Sequence, residues 1–246
     1  VLVIAGADSS GGAGLTRDLR TLHDLGVNGV AVVTAVTAQT NTSVRAIHFV
    51  PPTLIREQIA TALASSAVRA IKIGMLGTRA AVEAVAAMLP LRNEIPIVLD
   101  PVLAASSGRS LLEDDARMAL IERLFPKVTL ITPNIPEAAV LLGESVSREP
   151  ATLKAYGVRL LADGPRAVLI KGGHGDGDES VDTLFTAADV TTFRGPRLPG
   201  TLRGTGCALS AAVAAALSRE ESIVSACRSA RDYVARLFDA AMEGAL

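Results

Sequence analysis

The chain has 246 residues, 49% of them apolar, enough for one large core or for two small domains. Its 24 basic and 25 acidic residues leave a formal net charge of −1, so no basic excess points to nucleic acid or to an anionic membrane. Aromatic residues make up only 3% and tryptophan is absent, which argues against stacking platforms for single-stranded nucleic acid.

Short β-branched runs alternate with longer Ala/Leu-rich segments. Val1 to Ile4 reads as a strand, followed by a glycine-rich loop and a helix from Gly14 to Leu25. Gly29 to Ala35 is a second strand and Pro51 to Ser65 a helix. Strand Ala70 to Ile73 leads to helix Arg79 to Leu89, and strand Ile97 to Leu99 ends at Asp100-Pro101. Helix Asp114 to Leu124 precedes strand Leu130-Ile131, which ends at Thr132-Pro133-Asn134. Helices Ile135 to Leu142 and Thr152 to Ala162 follow, then strand Ala167 to Ile170. Thr183 to Phe185 and Val190 to Phe193 suit an antiparallel hairpin at one edge. Helices Cys207 to Leu217 and Ile223 to Met242 close the chain. Strands apolar on both faces, with helices between them, predict a mostly parallel sheet covered on two sides. No repeat or long polar linker divides the chain, so residues 1–246 are expected to form one α/β domain.

In such sheets ligands sit beyond the carboxyl ends of the strands. The polar and glycine residues collect there: Gly6-Ala7-Asp8, Gly74-Met75, Asp100-Pro101, Asn134 and Lys171-Gly172-Gly173. That clustering points to a small-molecule enzyme. Gly204-Thr205-Gly206-Cys207 precedes an Ala-rich helix, where free backbone N–H groups and the helix dipole can cradle an anion. The same glycines serve equally well as a turn that starts a helix. Cys207 at a helix N-terminus is expected to have a lowered thiol pKa. Ser9-Ser10-Gly11-Gly12-Ala13-Gly14 lacks the Gly-Lys-Ser/Thr of a P-loop and suits either backbone that closes over a flat ring or, equally, a turn with tight helix packing. Asn134 and Glu137 lie on one face of a first helical turn, where they suit either a hydrated Mg²⁺ or a plain helix cap. Lys171 ends a buried strand and can reach phosphates or snorkel. Lys72, inside Ile71-Lys72-Ile73, reads as structural, and Asp100 as a second acidic group near a metal or a strand terminus. His23, His48 and His174 are not spaced as a metal site, and Cys227 falls on an amphipathic helix.

Two cysteines, Cys207 and Cys227, make no disulfide framework in a chain this long and suit a reducing, cytoplasmic setting. No uninterrupted apolar run reaches membrane-spanning length. The chain opens at Val1 inside a strand and without a methionine, so a few residues are expected to precede it.

Taken together, these residues resemble the hydroxymethylpyrimidine/phosphomethylpyrimidine kinases of thiamin biosynthesis, members of the ribokinase-like superfamily. The resemblance spans nearly the whole chain. It rests on Ala5 to Gly14, on Thr34-Ala35-Val36-Thr37-Ala38-Gln39-Thr40, on Lys72 to Leu76 and on Leu99-Asp100-Pro101-Val102. It continues through Thr132-Pro133-Asn134-Ile135-Pro136-Glu137, Lys171-Gly172-Gly173-His174 and Gly204-Thr205-Gly206-Cys207. It implies a three-layer fold, ATP and Mg²⁺, a homodimer, and phosphorylation first of the hydroxymethylpyrimidine and then of its monophosphate. It further implies that Gln39 binds the pyrimidine edge and that Gly6, Ala13, Met75 and Val102 line the ring pocket. Asn134, Glu137 and Asp100 would serve Mg²⁺ and phosphate, with Lys171 on phosphate. Gly204, Thr205, Gly206 and Cys207 would form the anion hole, with Cys207 in the place that related sugar kinases give to an aspartate. Three positions depart from the pattern: Thr16-Arg17 replaces Gln-Ala, Ser106 replaces Lys or Thr, and Arg203 replaces a histidine, its charge also suiting a phosphate. A pyridoxal kinase, a ribokinase-like sugar kinase and a pyrimidine-binding sensor without catalysis are the alternatives. The intact Asn134, Glu137, Lys171 and Cys207 set disfavours the sensor, and the cysteine disfavours the sugar kinase.

Overall fold

The computed structural model describes residues 1–40, 42–90, 94–105, 108–173, 178–197 and 202–242. Ser106 and His174 lie outside these residues. The strands are β1 (Leu2–Asp8), β2 (Val30–Gln39), β3 (Val44–Phe49), β4 (Ile71–Ile73), β5 (Ile97–Leu99), β6 (Leu130–Ile131), β7 (Ala167–Ile170), β8 (Glu179–Thr186) and β9 (Val190–Pro196). They form one nine-stranded sheet in the order β3-β2-β1-β4-β5-β6-β7-β8-β9. Pairing is parallel from β2 through β7 and antiparallel where β3 joins β2, β8 joins β7 and β9 joins β8. The antiparallel hairpin thus stands at one edge.

Alternation along each strand sends side chains to two separate cores. Leu2, Ile4, Ile71, Ile73, Ile97 and Leu99 pack with α2 (Pro52–Ser65), α3 (Arg79–Met88), α4 (Asp114–Ala119), α5 (Ile135–Leu142) and α6 (Pro150–Ala162). Val3, Ala5 and Val98 face the opposite layer of α1 (Gly14–Asp24), α7 (Thr205–Leu217) and α8 (Ile223–Met242). Helices cover both faces, the three-layer α/β architecture that the alternating pattern predicts. Every residue of α7 from Ala208 to Leu217 is buried. Its alanines let the sheet, α1 and α8 all approach closely, which a helix with one apolar stripe would not allow.

Several boundaries move for physical reasons. β1 runs on through Gly6 and Ala7 to Asp8, because Ala7 and Asp8 pair with Val36 and Thr37 beyond a register shift. β2 extends to Gln39, held by its pairing with β3. β3 itself escapes a search for apolar runs, since Arg45 and His48 interrupt it and much of it is exposed. The helix that starts at Asp114 leaves the α form after Ala119 and passes through a π turn, Leu120–Leu124, into a 3₁₀ turn, Phe125–Lys127. Pro126 accounts for this, because its ring would strike the carbonyl four residues back in an α-helix.

Lys72 departs from the apolar pattern of the sheet interior. It aligns with Val3 and Val98, so its side chain enters the layer beneath α1 and α7. There its Nζ meets Asp18 Oδ2 at 2.7 Å, with both side chains fully buried. Burial opposes the ammonium charge, but Asp18, Cys207 and Asp100 nearby raise the Lys72 pKa above its ordinary value. The pair is therefore a structural charge within an apolar layer. Lys72→Met should strand the Asp18 carboxylate and lower stability by about 3–5 kcal/mol, while a Lys72→Met/Asp18→Leu double variant should recover most of that loss. Urea denaturation of the three proteins measures this, and a single variant as stable as wild type would contradict it.

Candidate active site

The ends of the parallel strands are joined in a row by backbone bonds. Gly74 N donates to Ile4 O, Asp100 N to Ile73 O, Thr132 N to Leu99 O and Lys171 N to Pro133 O. The chain leaves β1 toward β2 on one side and later reaches β4 on the other, so a topological switch point lies at Gly6 and Gly74-Met75. A side chain on Gly6 would come within 3.1 Å of Met75 Sδ, so Gly6 and Met75 form one surface. Val102 stands on the turn after β5, its N–H bonded to Asp100 O.

Asp8, at the tip of β1, shapes the glycine-rich turn. Its Oδ1 accepts from Ser10 N at 2.8 Å and Ser10 Oγ at 2.7 Å, and its Oδ2 from Ala13 N at 2.9 Å. The turn delivers Gly14 at φ +57, where a Cβ would lie 2.3 Å from Gly6 O. Only glycine allows that approach. Gln39, at the tip of β2, is clasped through its backbone by the Ser9 hydroxyl. Its Oε1 accepts from Arg203 Nη2 at 2.7 Å. The same guanidinium lies 3.2 Å from Asp8 Oδ2. The head group of Arg203 is thus committed to Asp8, Ser10, Gln39 and Thr40.

At the other side, α7 begins at Thr205 behind Gly204, which sits at φ 77 without a side-chain cap. The first helical bond runs from Ala208 N to Gly204 O, so the N–H groups of Thr205, Gly206 and Cys207 have no partner within the helix. Gly204 packs so closely that a Cβ would lie 2.2 Å from Gly12 O, locking the two glycine loops together. A Cβ on Gly206 would lie 3.2 Å from Lys171 Nζ and 3.7 Å from Asp100 Oδ2. Lys171 and Asp100 therefore stand directly beside these unpartnered amides. Lys171 Nζ bonds Asp100 Oδ1 at 2.9 Å. Burial would raise the Asp100 carboxyl, but Lys171, Lys72 and the bonds from Lys171 and Thr132 hold it below the usual range.

A bridge between Asn134 and Lys171 extends the pairing of β6 and β7 and brings α5 to the same place. Asn134 Oδ1 accepts from Glu137 N and Glu137 Oε2 from Asn134 N, each at 2.8 Å, a complete capping box. Burial pushes the Glu137 carboxyl up to about 7, with Lys171 opposing and Asp100 adding to the rise. Asn134 and Glu137 thus cap α5, and the buried carboxyl faces the Lys171–Asp100 pair. The donors here are hard oxygens. Among the described residues no three carboxylate, imidazole or thiol groups converge as a metal cage. That donor set fits a hydrated Mg²⁺, which keeps most of its waters and takes one or two carboxylates.

The phosphomethylpyrimidine kinase family model matches residues 8–244. The chain belongs to this family. The hydroxymethylpyrimidine/phosphomethylpyrimidine kinase of Escherichia coli K12 is 41% identical over 234 residues, 95% of this chain and 88% of that one. The crystal structure of phosphomethylpyrimidine kinase from Clostridium difficile 630 superposes with a TM-score of 0.83 at 34% identity, covering 96% and 97% of the two chains. A pyridoxal kinase from Staphylococcus aureus, solved with AMP-PCP and pyridoxal, superposes with a TM-score of 0.85 at 30% identity, covering 95% and 85%. The fold is therefore that of the ribokinase-like kinases. In this family member the residues expected at the site lie along one rim: Gly6, Ala13 and Gln39 near the ends of β1 and β2, Met75 and Val102 after β4 and β5, and the charged residues near α5 and α7.

One expectation fails. The Cys207 thiol does not have a lowered pKa, despite its place at a helix N-terminus. Burial pushes it up to about 11, with Lys72 and a bond from the Gly14 backbone opposing and Asp18 and Asp100 adding to the rise. The helix end is outweighed by close packing and two carboxylates. Asp8 and Ser9 carry no role in the sequence reading, though an aspartate two residues before a serine-glycine run signals a side-chain-capped turn. Cys207 should be alkylated slowly by iodoacetamide at pH 7, with a rate rising about tenfold per pH unit up to pH 9.5, since only the thiolate reacts. Mass spectrometry of the labelled peptide reads this, and a plateau below pH 8.5 would contradict the raised value.

Proposed function

We propose that the chain transfers the γ-phosphoryl group of ATP to the hydroxymethyl group of 4-amino-5-hydroxymethyl-2-methylpyrimidine, and then phosphorylates the monophosphate to the diphosphate, in thiamin biosynthesis. The observation that carries this reading is that Arg203, just before the unpartnered amides that open α7, holds the Gln39 carboxamide, while Gly204 packs against Gly12 of the other glycine loop. Phosphoryl transfer asks mainly for positioning and charge stabilisation. The amides of Gly204 to Cys207 would stabilise the transferring oxygens, as preorganised donors do. Lys171 would hold phosphate, with Asp100 keeping its ammonium in place. Mg²⁺ would be held through its waters by Glu137, Asn134 and Asp100, where it would neutralise phosphate charge. Gly6, Met75, Ala13 and Val102 would enclose the ring. A thiol with a pKa of about 11 is neutral at physiological pH, which supports Cys207 as an orienter of the substrate hydroxyl rather than as its proton acceptor.

Pyridoxal is the second substrate to consider, because the Staphylococcus aureus pyridoxal kinase superposes as well as the pyrimidine kinase does. The glutamine favours the pyrimidine, whose ring nitrogen accepts and whose amino group donates. We also read residues 1–246 as one kinase domain, supported by the continuous sheet. No helix among the described residues is long and apolar enough to cross a membrane. The free thiols fit a cytoplasmic setting. The resemblance carries a homodimer with it, and sedimentation velocity measures that directly.

A coupled ADP-release assay should show turnover of the hydroxymethylpyrimidine and its monophosphate, with pyridoxal used less well. No turnover of either pyrimidine would sink the reading. Cys207→Ala should lower kcat by roughly a hundredfold, the scale of a lost acid–base or orienting group, and Cys207→Ser should restore part of it. Glu137→Gln should raise the Mg²⁺ concentration needed for half-maximal rate. A titration that overlays wild type would leave Glu137 as a helix cap alone.

A further inference from the structure

Arg203 ties its own loop to two other segments at the ring side of the rim. Its Nη1 donates to Ser10 Oγ at 2.7 Å and to Thr40 O at 3.0 Å. Its Nη2 donates to Gln39 Oε1 at 2.7 Å and lies 3.2 Å from Asp8 Oδ2. The Arg203 side chain is 17% exposed and that of Asp8 only 2%, so solvent competes little for these bonds. Asp8 is itself fixed by Ser10 and Ala13. The guanidinium therefore hangs from a rigid carboxylate and reaches the Gln39 side chain from one fixed direction.

A guanidinium carries only donors. The carbonyl of Gln39, and never its NH₂, can face it. The carboxamide is thereby held in one of its two flipped orientations, with Nε2 turned away from Arg203. Among the described residues Nε2 has no hydrogen-bond partner in the protein. The charge on Arg203 also polarises the amide and strengthens Nε2 as a donor. A ring edge that offers an unprotonated nitrogen meets this donor, and an adjacent amino group can use the lone pair left on Oε1.

We propose that Arg203 is a positioning residue for ring recognition: by pinning Oε1 of Gln39 it makes the pocket select a ring whose facing edge accepts a hydrogen bond. The inference rests on reading this pocket as the site of a flat nitrogen ring. It concerns a side chain that acts through Gln39 and touches no reacting atom. If the arginine served phosphate instead, its loss would weaken ATP binding whatever residue stood at position 39.

The test is a double-mutant cycle of Arg203→Ala and Gln39→Leu, read by calorimetry as dissociation constants for the free hydroxymethylpyrimidine, pyridoxal and AMP-PCP. Arg203→Ala should weaken the pyrimidine about tenfold, the scale of a lost hydrogen bond to a charged group. It should weaken pyridoxal and AMP-PCP far less, and it should have no further effect once Gln39→Leu is present. Arg203→Met keeps much of the side-chain length but has no hydrogen to donate to Gln39, so it should behave like Arg203→Ala, and it replaces that variant if thermal melting shows Arg203→Ala to be unfolded. Additive effects of the two substitutions, weakened AMP-PCP in both backgrounds, or wild type binding the pyrimidine no better than the arginine variants would each overturn the proposal. Binding is measured without turnover, so pyrimidine that binds but is not phosphorylated counts against the functional reading alone.

Discussion

Parallel pairing is the constraint on which the rest depends. Once β1, β2, β4, β5, β6 and β7 run in one direction, their carboxyl ends must open on one rim. The strands there are short: β6 has two residues, and β4 and β5 have three each. The chain therefore leaves the sheet almost as soon as it enters, and the exits of β5, β6 and β7 place a polar residue each on the same line. Asp100, Thr132 and Lys171 reach one another because they follow neighbouring strands, although they are far apart in sequence. The N-termini of α1, α3 and α5 come to that rim for the same reason, since each helix follows a parallel strand.

Charge is arranged in depth as well as along the rim. Lys72 and Asp18 pair in the dry layer under α1 and α7, and Lys171 and Asp100 pair above them beside Gly206. Each lysine meets one carboxylate, and the neighbouring acids raise both lysines further. Glu137 is the acid left over, which is why burial moves its carboxyl so far. A buried carboxyl without its own cation is well suited to a place where a cation must come and go. The lower pair costs stability by its burial, yet it keeps a fixed dipole beneath the unpartnered amides that open α7.

Much of this was readable in advance, for identifiable reasons. The apolar runs of β4 to β7 and the breaks between them are strong signals, because strands buried on both faces tolerate few polar residues. Lys72 stands out in such a run, but nothing local names Asp18 as its partner 54 positions away. β3 is hard to see because none of its residues is fully buried. The Cys207 thiol was misjudged because helix position is a local property, whereas the burial and carboxylates that raise its pKa come from α1 and β5. Arg203 was visible as an unusual residue, but its direction depends on Asp8, which the sequence offers only as the end of a strand. In each case the unreadable part is a contact between segments.

The buried α7 has one more consequence. From Ala208 onward its amides lie in the driest layer of the molecule, so they can exchange with solvent only when the whole fold opens. The amides of Thr205, Gly206 and Cys207 belong to the same helix but have no helical acceptor, so local solvent reaches them. One helix thus carries the slowest and some of the fastest exchanging hydrogens within a single turn. Isotope uptake along α7 therefore separates opening of the whole fold from local protection of its first turn.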